Sequence, residues 1–394
     1  MARAFQASRG ISCRLRWIFH SIEKLFASGG VRQYNLCGAF EQCRDIMDPL
    51  TQGLLGGVAA QAVLRKRVTP AATVAGILGG MAPDLDIFIR SQANPLLMYE
   101  YHRHFTHSLA FIPVGGALVG FLLWLLLRRK PPLALMLVAA IAGFATHGLL
   151  DACTSYGTML YWPFSRERVA WDNVFIIDPF YTLALLVGLV VSWRRRLGNA
   201  AIAALLLSTA YLGLGFVQHH RAAEFQAELA RSRGHAVERG RVIPSLGPHL
   251  LWRSIYLSDG RLYVDALRVP YGGAKQYWRG GSLPHYSSKA LLRDLPPDST
   301  LARDLRTFAW FTQGYVAELD AAPLELGDLR FSTLPQSLQP LWGIRVDPQA
   351  PERHVQRLRF PWRSEDRFEA VWELLRGRTP GAQDLPAAVG ISPH

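Results

Sequence analysis

The segment His147-Gly-Leu-Leu-Asp151 holds an imidazole and a carboxylate four residues apart. On a helix that spacing puts both side chains on one face, side by side, which is a chelating arrangement. Ala82-Pro-Asp-Leu-Asp86 offers Asp84 and Asp86, two apart after a proline, in a loop whose carboxylates can share one space. His102-Arg-His-Phe-Thr-His-Ser108 offers His102, His104 and His107, the last two at a spacing of three. Met47-Asp-Pro-Leu-Thr-Gln52 and Asp178-Pro179 add polar groups, with Gln52 read as a hydrogen-bonding neighbour and Asp178 as either a supporting carboxylate or a ligand. Imidazole mixed with carboxylate favours Zn, Mn or Fe over Ca or Mg. Six candidate ligands exceed the four of one tetrahedral zinc, so either one or two ions are expected. The same set would also suit a proton relay, an ion path or hydrogen bonds between helices.

Those residues must be held by apolar elements, because half of the 394 residues are hydrophobic, only 19% are charged, and the mean hydropathy is +0.10. Ser108 to Leu127 is a run of twenty without a charge, long enough to span a hydrocarbon core at ~1.5 Å per residue. Leu133 to Leu150, Val174 to Trp193 and Asn199 to Val217 have the same character, and two shorter pieces rich in Gly and Ala precede them, Gly53 to Leu64 and Ala71 to Ala82. The expected fold is therefore a multipass α-helical membrane domain, four long helices plus two short apolar ones. Arg65 to Arg67, Arg128 to Lys130 and Arg194 to Arg196 place nine basic residues on one face. The opposite loops carry only Arg90, Arg103, Arg166 and Arg168. The nine-charge face is then cytoplasmic, and all five polar segments fall at the other, periplasmic face.

After Val217 the texture changes to Pro, Gly, Arg and aromatics. Short alternating stretches, Ser254 to Leu257, Arg261 to Leu267 and Thr307 to Phe311, predict strands, and hence a small β-rich or α+β soluble domain after a helical connector. Three regions result: 1-46, 47-217 and 218-394. The first is an N-terminal extension whose Leu15, Ile18, Phe19, Ile22, Leu25 and Phe26 recur at helical spacing, either a short interfacial helix or the product of a start assigned upstream of Met47.

The net charge of +13 divides as +4, +5 and +4 over those three regions, so there is no concentrated basic domain and no nucleic-acid partner is expected. Cys13, Cys37, Cys43 and Cys153 contain no CxxC pair, which indicates neither a disulfide framework nor a zinc ribbon. Nucleophile-based and nucleotide-based enzymes are disfavoured, since no GxSxG elbow, P-loop or Rossmann fingerprint stands in a suitable context.

The order MDPLTQGLLGG, APDLD, HRHFTHSL, HGLLDACTSYGTMLYWPF resembles the YdjM-like family of bacterial inner-membrane metal-dependent hydrolases. The resemblance covers about Met47 to Phe180, and the later segments look like longer members with an extracytoplasmic domain. It implies a metal-dependent hydrolase with Asp84, Asp86, His102, His107, His147 and Asp151 at the polar motif positions. Two departures are a Gln at position 52 where many members carry His, and His104 where Gly is common. The combined expectation is an inner-membrane enzyme using one or two divalent ions, zinc first and Mn or Fe next, on a lipid or lipid-linked ester or phosphoester. Asp84 or Asp86 would accept a proton from water. A rival reading is an ion transporter or membrane scaffold in which the same residues hold a structural ion or form a polar network.

Overall fold

A computed structural model describes residues 48–67, 69–195, 198–360 and 365–379. The expected N-terminal extension and its interfacial helix lie outside the described residues, as does Arg196.

Helix α1 (Pro49–Leu64) begins where the sequence provides a start signal: the Asp48 carboxylate accepts from the amides of Leu50 and Thr51, and Pro49 occupies the first turn. Every residue from Thr51 to Ala62 is buried, so α1 is enclosed on all sides by other helices. Helix α2 (Pro70–Met81), capped by Thr69, continues as a 3-10 stretch over Ala82–Phe88. A short α3 (Leu97–Tyr101) leads to the histidine-rich loop, then come α4 (Ile112–Leu126), α5 (Leu133–Cys153), α6 (Pro179–Arg195) and α7 (Gly198–Ser232).

Among the described residues four helical runs are long and apolar enough to cross a membrane: Pro70–Phe88, Leu109–Leu126, Leu133–Cys153 and Gly198–Ser232. Two segments exchange ranks relative to expectation. The short apolar piece ending at Ala82 gains about two turns from the 3-10 stretch. The piece expected from Val174 starts only at Pro179, because the Asp178 carboxylate caps the amides of Phe180 and Tyr181.

Glycine sets how closely these helices meet. A Cβ on Gly143 of α5 would lie 2.1 Å from the Gly76 carbonyl oxygen of α2, and one on Gly56 of α1 would lie 2.5 Å from the same oxygen. Three helices thus meet backbone to backbone, the packing that small residues permit where lipid removes any hydrophobic drive between helices.

Helix α7 runs unbroken across position 217 to Ser232 and delivers the chain to two antiparallel four-stranded sheets. The first contains β1 (Arg239–Pro244), β2 (Leu251–Ser258), β3 (Arg261–Arg268) and β4 (Gln276–Pro284) in sequential order. Asp259-Gly260, both with positive φ, closes the β2–β3 hairpin with Ser258 opposite Arg261. Helices α8 (Lys289–Asp294) and α9 (Thr300–Phe311) follow, then β5 (Val316–Ala321), β6 (Leu324–Asp328), β7 (Trp342–Val346), β8 (Gln356–Arg359) and α10 (Glu365–Leu375).

The strand expected over Thr307 to Phe311 is instead the end of α9. Its alternating aromatics belong to a longer helical period in which Leu301, Leu305, Phe308 and Phe311 are buried, and Ser299 caps the start.

Leu96, which caps α3, and Tyr99 within α3 are buried in the same core as Leu305, Phe308, Trp342 and Ile344. The Tyr99 ring stacks on Trp342 with centroids 4.2 Å apart. Arg241 of β1 grips the Asp172 carboxylate through Nε at 2.7 Å and Nη2 at 2.9 Å. The C-terminal β-rich domain therefore packs onto the loops at the polar ends of the helices.

Candidate metal centre

Three elements deliver four donors to a common point. The 3-10 extension of α2 brings Asp84, a one-turn 3-10 segment brings His107, and α5 brings His147 and Asp151 on one face as their spacing requires. One atom from each of these four residues lies within 4.8 Å of every other. The contacts are 2.9 Å between the two Nε2 atoms, 3.4 and 3.3 Å from His107 and His147 Nε2 to Asp84 Oδ1, and 3.2 and 3.5 Å from the same atoms to Asp151 Oδ2. Four ligands held ~2.0–2.1 Å from one zinc stand about 3.3 Å from one another. The observed separations bracket that tetrahedral edge.

Two further observations fit a cation between these atoms. Both Asp84 oxygens are buried without a well-formed hydrogen bond, an unfavourable state for a carboxylate unless a positive charge compensates it, whereas Asp151 Oδ2 already has the Arg103 Nε 3.1 Å away. The outward nitrogens of both imidazoles are also engaged: His147 Nδ1 lies 2.5 Å from the Gly80 carbonyl, and His107 Nδ1 lies 3.2 Å from Asp86 Oδ2. An acceptor on Nδ1 places the proton there and turns the Nε2 lone pair inward. Gly148 completes the fit, since a Cβ there would stand 2.1 Å from the His107 carbonyl oxygen. Any side chain at 148 would push the histidine loop off α5.

Asp86 stands outside this tetrahedron with both oxygens engaged. Oδ1 meets His102 Nδ1 at 2.7 Å, and Oδ2 accepts from Thr106 Oγ1 at 2.7 Å and the Arg103 amide at 3.0 Å. Asp84, Asp86 and His102 do form a second group of close donor atoms. The hydrogen bonding nevertheless makes Asp86 the clamp that orients His107 and His102.

His107 is buried, which by itself would lower its pKa; the charge of Asp86 and the close approach of the Asp151, Asp84 and Asp86 carboxylates outweigh that and hold it well above the ordinary histidine value.

The three supporting candidates take different places. Gln52 donates from Nε2 to Asp151 Oδ1 at 2.7 Å. A small cavity bordered by Asp48, Thr51, Gln52, Thr154 and Asp178 opens beside it. Asp178 reaches that cavity but not the donor cluster, because its carboxylate caps α6 and accepts from Tyr211 at 2.7 Å. His104 turns away and packs against Trp162 and Tyr101, with centroids 5.6 Å from each. Burial, with Arg166 and Arg168 nearby, lowers its pKa.

Sequence reasoning passed over Arg103 and Thr106. Arg103 is wholly buried, its Nε 3.1 Å from Asp151 Oδ2, and its backbone takes a left-handed φ of 63°. An arginine placed in that region between two candidate ligands is held by its surroundings. The available signal was its place inside the HRHFTH motif, where its charge had been counted only toward loop topology.

Residues 47–222, less than half of the chain, match the family model described as YdjM inner membrane protein. The resemblance read from the motifs is thereby borne out over that stretch. No curated protein and no solved structure matches the chain.

Proposed function

We propose that this chain is a membrane-bound metal-dependent hydrolase whose centre lies at the periplasmic interface of the inner membrane, acting on a lipid or lipid-linked ester or phosphoester. The observation that carries the reading is the convergence of Asp84, His107, His147 and Asp151 at tetrahedral separations, with both Asp84 oxygens buried and without a well-formed hydrogen bond. A divalent cation held by these four, zinc by the donor set with Mn or Fe as alternatives, would supply Lewis-acid activation of water.

The chain's own residues have separable tasks. His107, His147 and Asp151 have wholly buried side chains, whereas that of Asp84 is 10% exposed. Asp84 is thus the carboxylate best placed to meet an incoming molecule and accept the proton that water must lose. Asp86 and the Gly80 carbonyl aim the imidazoles, and Gln52 and Arg103 fix Asp151. Hydrolysis itself adds the elements of water across the scissile ester bond, hydroxyl to the acyl or phosphoryl side and proton to the leaving oxygen.

Sidedness rests on charge. The ends of α1, α4 and α6 away from the centre carry Arg65, Lys66 and Arg67, then Arg128, Arg129 and Lys130, then Arg194 and Arg195. By the positive-inside rule those ends face the cytoplasm, which sets the centre and the outer domain in the periplasm. A reporter fused at the C-terminus that proved active in the cytoplasm would reverse this.

Enclosure of three of the four donors favours one competing reading, a structural ion in a scaffold or transporter. Metal content of the detergent-purified chain, measured by inductively coupled plasma mass spectrometry beside His147→Ala and Asp151→Ala, tests the centre itself. Near-stoichiometric metal that both variants lose supports it, and a wild-type chain that takes up no metal after reconstitution refutes it. Asp84→Ala then separates the two readings: a catalytic role removes ester or phosphoester hydrolysis and leaves the melting temperature largely intact, whereas a structural ion takes stability with it.

A further inference from the structure

The runs Pro70–Phe88, Leu109–Leu126 and Leu133–Cys153 have their donor-bearing ends at Phe88, Leu109 and Cys153. Asp84, His107 and Asp151 lie four, two and two residues from those ends. The run Leu109–Leu126 counts 18 residues, or ~27 Å at ~1.5 Å each, close to the ~30 Å of a bilayer's hydrocarbon core. Its Leu109 end therefore stands at the hydrocarbon boundary. This run is also the one least covered by the rest of the chain, with Val114, Leu118, Phe121 and Leu122 exposed along it.

A loop segment is tied to that boundary. The Leu109 amide donates to the Leu160 carbonyl at 3.0 Å, and the chain then makes a tight turn in which the Phe164 and Ser165 amides both donate to the Tyr161 carbonyl, at 2.9 and 3.1 Å. The Met159 amide donates to the Arg103 carbonyl at 3.0 Å, and the Trp162 ring packs inward, with its centroid 5.6 Å from that of His104 and 6.0 Å from that of Phe105. The histidine loop thus braces the turn from behind.

The tip of the turn is apolar. Phe164 is 90% exposed, the most exposed large apolar side chain among the described residues, and Tyr161 and Pro163 beside it are exposed as well. A single exposed apolar side chain on a flexible loop needs no explanation. Three of them on a braced turn, bonded to the first residue of a membrane-crossing run, match the zone where acyl chains meet headgroups. Phe fits the acyl side of that zone, and Tyr fits both sides because its hydroxyl stays wet. Loop backbone is excluded from hydrocarbon proper, so such a turn reaches the boundary and no deeper.

We propose that the turn 161–164 is a lipid-inserted finger, which dips Phe164 and Tyr161 into the leaflet on the side of the His/Asp centre and fixes the histidine loop at the hydrocarbon boundary. Its partner is bilayer lipid, because the turn is level with the end of Leu109–Leu126 and hydrogen-bonded to it. The finger depends on the fold and the membrane, and stands without the hydrolase reading.

The test is site-directed spin labelling of the full chain in lipid nanodiscs, in a background with Cys13, Cys37, Cys43 and Cys153 replaced by alanine. Labels at Phe164→Cys and, as a second site on the turn, at Tyr161→Cys are compared with Leu118→Cys on the exposed face of α4 and Asp259→Cys at the β2–β3 hairpin. Power-saturation EPR reads the collision of each label with oxygen, which concentrates in lipid, and with a water-soluble nickel chelate. Melting temperatures show which variants keep the fold. The expected result is that oxygen collisions exceed chelate collisions at 164 and 161, by a ratio below that at 118, and that the order reverses at 259.

A label at 164 that meets the chelate as readily as the one at 259 overturns the proposal. A label at 164 sheltered from both reagents overturns it too, whether a second copy covers it, seen as dipolar broadening between labels, or the chain itself does. Should Phe164→Cys not fold, Tyr161→Cys decides on the same terms. An inserted finger in a chain that takes up no metal would sustain the finger and sink the hydrolase reading, whereas a metal-replete chain with a water-exposed finger would do the reverse.

Discussion

Replacing Asp86 with Asn separates a clamp from a ligand at the centre. The substitution keeps volume and removes the charge, and it exchanges one acceptor oxygen for an NH2 donor. Asp86 now receives His102 Nδ1 on Oδ1, and Thr106 Oγ1, the Arg103 amide and His107 Nδ1 on Oδ2. An asparagine can keep its oxygen on only one of those sides. With the oxygen toward Thr106 and Arg103, its NH2 confronts His102; with the opposite flip it confronts two or three donors in a buried space. Either way His107 loses the negative partner that fixes its tautomer and raises the basicity of Nε2. Loss of such an outer partner costs about 10- to 100-fold in metal affinity, or ~1.4–2.8 kcal/mol. Loss of a direct ligand costs far more. The assay is a zinc titration against a fluorescent chelator on the purified chain, with wild type, Asp86→Asn and His147→Ala side by side. Asp86→Asn should retain zinc at affinity reduced by one to two decades, while His147→Ala retains none under the same competition. An Asp86→Asn chain as empty as His147→Ala would show that Asp86 is itself a ligand, and one that binds like wild type would show that its hydrogen bonds orient nothing.

Three further outcomes follow from the geometry. Gly143→Ala would drive a Cβ into the Gly76 carbonyl at 2.1 Å, so thermal unfolding should show a loss of about 1–3 kcal/mol, whereas Gly213→Ala, with nothing within 4 Å, should melt no lower than wild type. Trp342→Ala removes the ring stacked on Tyr99 and should cost about 3–5 kcal/mol; because Tyr99 leads directly to His102, zinc affinity should fall with it, and a variant that is destabilised but binds zinc normally would uncouple the outer domain from the centre. His107 is raised above its unfolded pKa, so in the metal-free chain its pairing with carboxylates stabilises most below the unfolded value and fades as pH rises through the folded one. Zinc must displace that proton, and apparent affinity should therefore climb about tenfold per pH unit while His107 is protonated in the free chain; a flat profile between pH 5 and 8 in the titration would exclude its role as a ligand.

Local patterns were legible wherever one period or one short motif sufficed. The strands over Ser254 to Leu257 and Arg261 to Leu267 and the charge-free run before Leu127 each stand in the structure as chain-local physics dictates. His147 and Asp151 share a helical face for the same reason. Where two periods competed, the shorter window misled: Thr307 to Phe311 alternates like a strand, yet four buried residues at helical spacing from Leu301 onward place it in α9. Asp178 was readable as polar at a helix end, and helix ends consume carboxylates as caps, which is where its oxygens went.

The candidate donors could be named from the sequence because residue type and intrahelical spacing are properties of the chain itself. Which four of them meet, which one clamps the others, and that Arg103 and Thr106 stand among them depend on how closely α1, α2 and α5 approach, and on an outer domain that buries Tyr99 more than two hundred residues away from Trp342 in the sequence. Hydrogen-bond partners across such separations are chosen by packing, and packing here turns on glycines whose missing side chains carry no periodic signal. Donor identity was therefore written locally, while the division between the metal-facing atoms and those that aim them was decided only by the tertiary contacts.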